Sequence, residues 1–256
     1  MTIKTNMSTM TPRRQQFKRE IILLSHGFSN KAAWPDGKIT VYPWDSEIDQ
    51  YLVKEGRKLT KQQLATGLIE HLCELNGGKV ENLVADEVQT ILLVARALSS
   101  DGIVVYTSAC PAPGCGAKRQ EKIKVPDELE KVGEKSDTYP GYDEITLPVS
   151  KDVVHLRPIL VKDERIIENR LQEQKETISD ILLRLLMAVV SVNGGQPDVL
   201  EELVTYYRAL PPKDAKFLEE QQIQLSPHLN TRIMHSCDEC GKVFSQMLTF
   251  DQEFFL

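Results

Sequence analysis

CPAPGCG (Cys110–Gly116) and CDECG (Cys237–Gly241) decide how this chain is read. Each is a cysteine pair closed by a glycine, and each ends a stretch with the same order of features. Before Cys110 come IleThrValTyrPro (Ile39–Pro43), an amphipathic helical stretch, AsnGlyGly (Asn76–Gly78) and a further helix. Before Cys237 come ValHisLeuArgPro (Val154–Pro158), helical sequence, AsnGlyGly (Asn193–Gly195) and more helix. Pro43 and Pro158 are 115 residues apart, Asn76 and Asn193 are 117, and Cys110 and Cys237 are 127. Such slow drift is what a diverged duplication with one insertion leaves. The expected fold is α+β, a tandem duplication of a strand–helices–β-hairpin unit. A zinc-ribbon-like site of Cys110, Cys115, Cys237 and Cys240 would join the halves.

Four thiolates in two knuckles suit a structural Zn2+, tetrahedral and all sulfur, with no position left for water. A glycine after each second cysteine fits the tight turn that aims backbone N–H groups at sulfur. The first 20 residues lack the apolar core of a secretory signal, so the expected compartment is reducing and favours metal over disulfide. Free thiols, disulfides and an iron–sulfur cluster remain open for the same residues. His235, two positions before Cys237, is a substitute ligand that four cysteines make unnecessary. Cys73, among Leu64, Leu68, Leu72 and Leu75, reads as an inert core thiol on a helix.

Composition sets further bounds. The chain has 256 residues, 41% of them apolar, enough for one large domain or two similar lobes. A net charge of −6 provides no global field for nucleic acid or an anionic membrane. No run approaches ~18 apolar residues, so no membrane span is expected. Residues 1–20 differ from the rest: Lys4, Arg13, Arg14, Lys18 and Arg19 stand against Glu20 alone. This basic segment reads as a flexible arm that orders on a partner, with an N-terminal leader as the alternative.

From there the first repeat covers residues 21–125. Asp45 or Ser46 caps one helix and Thr60 the next; a third begins at Asp86, with Val88, Ile91, Leu92, Ala95 and Leu98 on one face. Ile103–Tyr106 and the returning Lys122–Val125 make a hairpin tipped by the first knuckle. Residues 126–150, charged and rich in Gly and Pro, read as a linker or loop. The second repeat, 151–256, has helices capped by Asp163 and Asp214, an apolar helix over Ile178–Val192, and an extra helix over Pro197–Leu210. It closes on Arg232–His235, the second knuckle and an apolar tail ending PhePheLeu (Phe254–Leu256).

No catalytic constellation emerges. Ser25-His26-Gly27 lacks the G-x-S-x-G elbow of a nucleophilic serine. His71, His155 and His228 fall in helix, strand and loop patterns. Neither AsnGlyGly has the glycine count or lysine of a phosphate loop. Acidic pairs such as Asp86/Glu87 and Glu201/Glu202 start helices, where the dipole favours them.

The order of these motifs resembles the baseplate-hub protein family of T-even-like, contractile-tailed bacteriophages, over about residues 21–256. LeuLeuSerHisGlyPhe (Leu23–Phe28) stands for that family's L-P-S-x-G opening, with Leu24 in place of proline. The acid-led helix Asp86–Gly102 carries Arg96 at the position of an R-x-x-S motif. Cys110–Gly116 is two residues wider than the usual C-P-x-C-G, and CysAspGluCysGly followed by Phe254 and Phe255 is the closing knuckle. The resemblance implies a non-enzymatic tail protein, located in the virion baseplate and assembled in the host cytoplasm, present in several copies or in a hetero-oligomer with other tail proteins. The alternatives are an assembly chaperone absent from the finished particle and a zinc-ribbon nucleic-acid-binding protein. Lys118, Arg119, Lys122 and Lys124 favour the latter, while Asp238, Glu239, Asp251 and Glu253 oppose it.

Overall fold

The computed structural model describes residues 17–56, 58–125, 127–173, 179–197 and 199–248. Strands β1 (Arg19–Ile22) and β2 (Lys38–Val41) pair antiparallel, and helices α1 (Ser46–Glu55) and α2 (Lys61–Leu72) follow. Helix α2 runs directly into β3 (Cys73–Glu74), which completes a sheet in the order β1-β2-β3. Both helix starts are set by side chains. The Asp45 carboxylate accepts the N–H groups of Glu47 and Ile48, and Thr60 with Gln63 forms a reciprocal capping box. A short 3-10 turn, Val80–Asn82, precedes α3 (Ala85–Leu98). The hairpin β4 (Ile103–Ala109) and β5 (Lys118–Lys124) then carries the chain through the first knuckle.

β6 (Lys131–Val132) comes next, and then the same order of elements. β7 (Asp143–Thr146) and β8 (Val153–Leu156) pair antiparallel; α4 (Val161–Glu173) and α5 (Asp180–Ala188) follow; α5 runs into β9 (Val189–Val192), closing a β7-β8-β9 sheet. Helix α6 (Leu200–Ala209) intervenes before α7 (Pro212–Leu225) and β10 (His228–Leu229). The chain then enters the second hairpin, β11 (Arg232–Ser236) and β12 (Val243–Met247). Matching hydrogen bonds tie each middle strand to the end of the helix feeding its sheet. The Tyr42 N–H donates to the Leu72 carbonyl at 2.8 Å, and the Arg157 N–H to that of Ala188 at 2.9 Å.

Two apolar cores result. Trp34, Ile39, Ile48, Ile69, Leu72 and Ile91 anchor the first, and Leu147, Leu156, Ile167, Leu183, Leu185 and Leu218 the second. Each such side chain contributes about 1.5–3 kcal/mol by leaving water. Val161, Leu229 and Leu248 come from the later part of the chain yet lie in the first core. Backbone bonds from Ala85 to Ile159 at 2.8 Å and from Val161 to Leu83 at 2.9 Å also cross between the halves.

Several sequence expectations need correction. Residues 126–150, read as a linker, hold two strands: β6 pairs with β10, and β7 is an edge of the second sheet. The stretch between them is strapped to the first half. The Lys135 N–H donates to Leu24, its ammonium meets Asp143 at 2.7 Å, and Tyr139 packs edge-on against Phe28. Gly133 allows the strap to turn: its φ is +64° and a Cβ would sit 2.6 Å from the Ser226 carbonyl oxygen.

The basic arm was bounded at residue 20, but β1 already begins at Arg19; residues 1–16 lie outside the described residues. The apolar helix expected over 178–192 ends at Ala188, because the β-branched run from Val189 pairs with β8 instead; Ile178 lies outside the described residues. The extra helix starts at Leu200, after Pro197 rather than with it. Cys73 is the buried first residue of β3, and burial pushes its thiol pKa up. Of the C-terminal tail, Met247 is exposed and Leu248 buried, while Phe250 and Phe254–Leu256 lie outside the described residues.

Candidate metal centre

The two hairpins place their inner faces together. On the first, Cys110 donates its N–H to the Ala117 carbonyl at 2.9 Å and Cys115 to that of Ala112 at 3.0 Å. On the second, Cys237 donates to Lys242 at 3.0 Å and Gly241 back to Cys237 at 2.8 Å. Gly116 and Gly241 have φ of +59° and +69°, with open space where a Cβ would go. Glycine is therefore required there by backbone conformation and not by crowding.

At the shared tip the four sulfurs converge. Cys110 Sγ lies 3.6 Å from Cys240 Sγ and Cys115 Sγ lies 3.7 Å from Cys237 Sγ. All four lie within 4.8 Å of one another. Metal–sulfur bonds of about 2.3 Å in a tetrahedron demand sulfur–sulfur edges of about 3.8 Å. The donor set fits a closed tetrathiolate centre that could hold a metal ion.

Backbone donors support that charge. The Ala112 N–H faces the Cys110 sulfur, that of Ala117 faces Cys115, and those of Cys240 and Glu239 face Cys237. The Cys240 and Glu239 donors bring the Cys237 thiol down to about 7. At Cys110 the Ala112 donor pulls the same way, but burial and the neighbouring thiols outweigh it and push the group up to about 12. Without a cation, four sulfurs this close share protons because they cannot all ionise.

Below the sulfurs the hairpins are keyed together. The Gln246 amide spans them: its oxygen accepts the Ala109 N–H at 3.3 Å and its nitrogen donates to Thr107 O at 2.9 Å. Gln246 thus takes the place of a neighbouring strand along part of β4. Arg119 donates to Asp238 at 2.6 Å beside the knuckles. His235 stacks with Phe244 and lies against Tyr106, its Nδ1 3.9 Å from Glu121. It packs the seam between the hairpins, outside the cluster of metal-binding groups.

The other polar candidates have structural occupations. Ser25 is buried and donates both its N–H and its hydroxyl to Glu87, at 2.6 and 2.8 Å. His26 lies 2.7 Å from Asp137, and His71 and His228 contact backbone carbonyls. His155 joins Ser191 at 3.0 Å and Glu144 at 3.0 Å, a serine–histidine–carboxylate relay along one cross-strand row. That serine is 5% exposed, so the row braces the sheet without presenting a nucleophile. Asn76 and Asn193 have φ of 49° and 50°, so each AsnGlyGly is a left-handed turn.

Two buried acids went unnoticed as a pair. Glu87 is the third residue of α3 and Asp214 the third of α7. Glu87 holds Ser25, three residues after β1; Asp214 accepts the N–H groups of Val149 and Ser150 at 2.7 Å each, beginning three residues after β7. Asp163, also expected as a cap, is the third residue of α4 and accepts Leu160 N–H and Arg157. The available signal was spacing, since Glu87 shares its helix face with Ile91, and Asp214 with Leu218. No protein-family model, curated protein or solved structure matches this chain.

Proposed function

We propose that this chain is a non-enzymatic structural component of a bacteriophage tail baseplate, in its hub region, rigidified by one structural Zn2+. The observation that carries the reading is the origin of the ligands. Cys110 and Cys115 come from one hairpin and Cys237 and Cys240 from another, so a bound ion pins two distant parts of the chain. An all-sulfur site of this kind adds rigidity and leaves no open coordination position for a substrate. The phage setting rests on the resemblance of the sequence motifs.

We further infer that the halves arose by tandem duplication. In support stand the matching β1-β2-β3 and β7-β8-β9 sheets, the left-handed Asn76 and Asn193, and the knuckle-tipped hairpins. The buried acids Glu87 and Asp214 add a further correspondence, each reaching the loop after the first strand of its own sheet. Helix α6 and the wider loop between β1 and β2 are the main departures.

Peptide quantitation of this chain in purified tails, relative to the tube protein, tests the setting. A fixed small-integer copy number supports a baseplate component. Absence from tails but abundance in infected lysate supports an assembly chaperone instead. The nucleic-acid-binding reading has one observation in its favour, the outward row Lys118, Lys122 and Lys124 on β5. Salt-dependent retention on DNA, lost when these three are changed to glutamine, would establish it.

A further inference from the structure

The two hairpins differ at their outer edges. In β11–β12, the bonds from Cys237 to Lys242 and from Leu248 to Thr231 fix which residues face the partner strand. By alternation, Val243, Ser245 and Met247 aim their N–H and C=O groups away from β11. None of these outward groups has a hydrogen-bond partner among the described residues. On the same three residues, Val243 and Met247 are 62% and 54% exposed. Gln246 points inward to β4 and leaves this edge open.

The corresponding edge of the first hairpin is blocked by charge. Outward positions on β5 are Lys118, Gln120, Lys122 and Lys124. Every register pairing three or more of them with a second copy of β5 sets lysine opposite lysine, which destabilises strand pairing. The β12 edge has no such obstacle. An antiparallel two-fold centred on Ser245 sets Ser245 against Ser245 and Val243 against Met247, with no charge facing charge. On β11 the opposite edge is partly used, since the Arg232 N–H already donates to Asn230.

We propose that β12 pairs with β12 of a second copy of this chain across a two-fold axis at Ser245. The two hairpins then form one four-stranded sheet, with Val243 and Met247 covering each other on its outer face. The occupant is a second copy because the edge is self-complementary in sequence, in backbone polarity and in the absence of repelling charge. The pairing does not depend on the phage setting. Five-residue strands bury less than the ~1,200 Å² of a stable interface, so the dimer is weak and concentration-dependent.

Sedimentation equilibrium of the full chain, loaded with zinc, tests this across low to high micromolar concentration. Wild type should move from monomer to dimer as concentration rises. S245K, V243K and M247E should each remain monomeric, with unchanged metal content and melting temperature, because the changed side chains are on the open edge. The double variant V243K/M247E should regain the dimer, since each lysine then faces a glutamate of the other copy. A wild type monomeric throughout, or an S245K protein that dimerises like wild type, overturns the proposal. A double variant that stays monomeric overturns the register.

Discussion

Glu87→Gln isolates the most unusual charge in the interior. Glu87 is 1% exposed, and its carboxylate accepts the Ser25 backbone N–H and hydroxyl, with no cation among the contacts described. Burial raises its pKa to about 7 from 4.5, and the Ser25 donors offset only part of that rise. Between those two values the native state holds a proton that the unfolded chain has released. Stability from this group is complete below the unfolded value of 4.5 and declines as pH rises toward 7, after which the full penalty persists. Linkage between those two values gives a loss of about 2–3 kcal/mol from roughly pH 5 to pH 8. Glutamine keeps the shape, accepts the Ser25 N–H, and can donate to the Ser25 oxygen, but it does not titrate. Urea unfolding followed by circular dichroism, on zinc-loaded wild type and E87Q, reads the difference at each pH. The variant should be slightly less stable near pH 5 and the more stable of the two near pH 8. Contributions from other groups cancel in the comparison. A wild-type-minus-variant difference that stays flat over this range would refute the argument.

Three other outcomes follow from the same contacts. Cys110→Ser or Cys237→Ser alone should release the metal and lower the melting temperature of the whole chain, because each hairpin supplies half the ligands; metal analysis and calorimetry check this, and a melting curve identical to wild type would sink the shared-centre idea. Asp214→Ala removes the buried acceptor of the Val149 and Ser150 N–H groups and should destabilise the native state at neutral pH, with hydrogen exchange at those two amides rising sharply. Leu183→Ala opens a cavity in the second core and should cost about 2–5 kcal/mol in urea unfolding.

The sequence showed the helix starts at Asp45 and Thr60 clearly, because a short polar side chain before an apolar repeat has one local solution. The knuckles were equally plain: paired cysteines and a following glycine constrain a few consecutive residues. What lay hidden was set by tertiary context. Leu185 to Val190 is one apolar run, and only pairing with β8 ends the helix at Ala188. The strap through Lys135 looked like a linker because its charged residues signal exposure, yet Lys135 is buried against Asp143. Glu87 reads in the sequence as a dipole partner and Asp214 as a cap, each for its own helix. Their bonds run to Ser25 and Val149, more than 60 positions away in sequence, which no local pattern encodes.

The spacing of the sulfurs along the chain also has a temporal meaning. Cys115 and Cys237 are 122 residues apart, so a ribosome emits the first knuckle long before its counterpart exists. Until then Cys110 and Cys115 can grip an ion only halfway. A covalent crosslink closing a loop of about 100 residues stabilises by up to about 5 kcal/mol, and a four-sulfur clip acts on the same unfolded-chain entropy. That gain is withheld from any product broken off before Cys237. With an ion bound, the centre would give its stability only to chains that extend past Cys240.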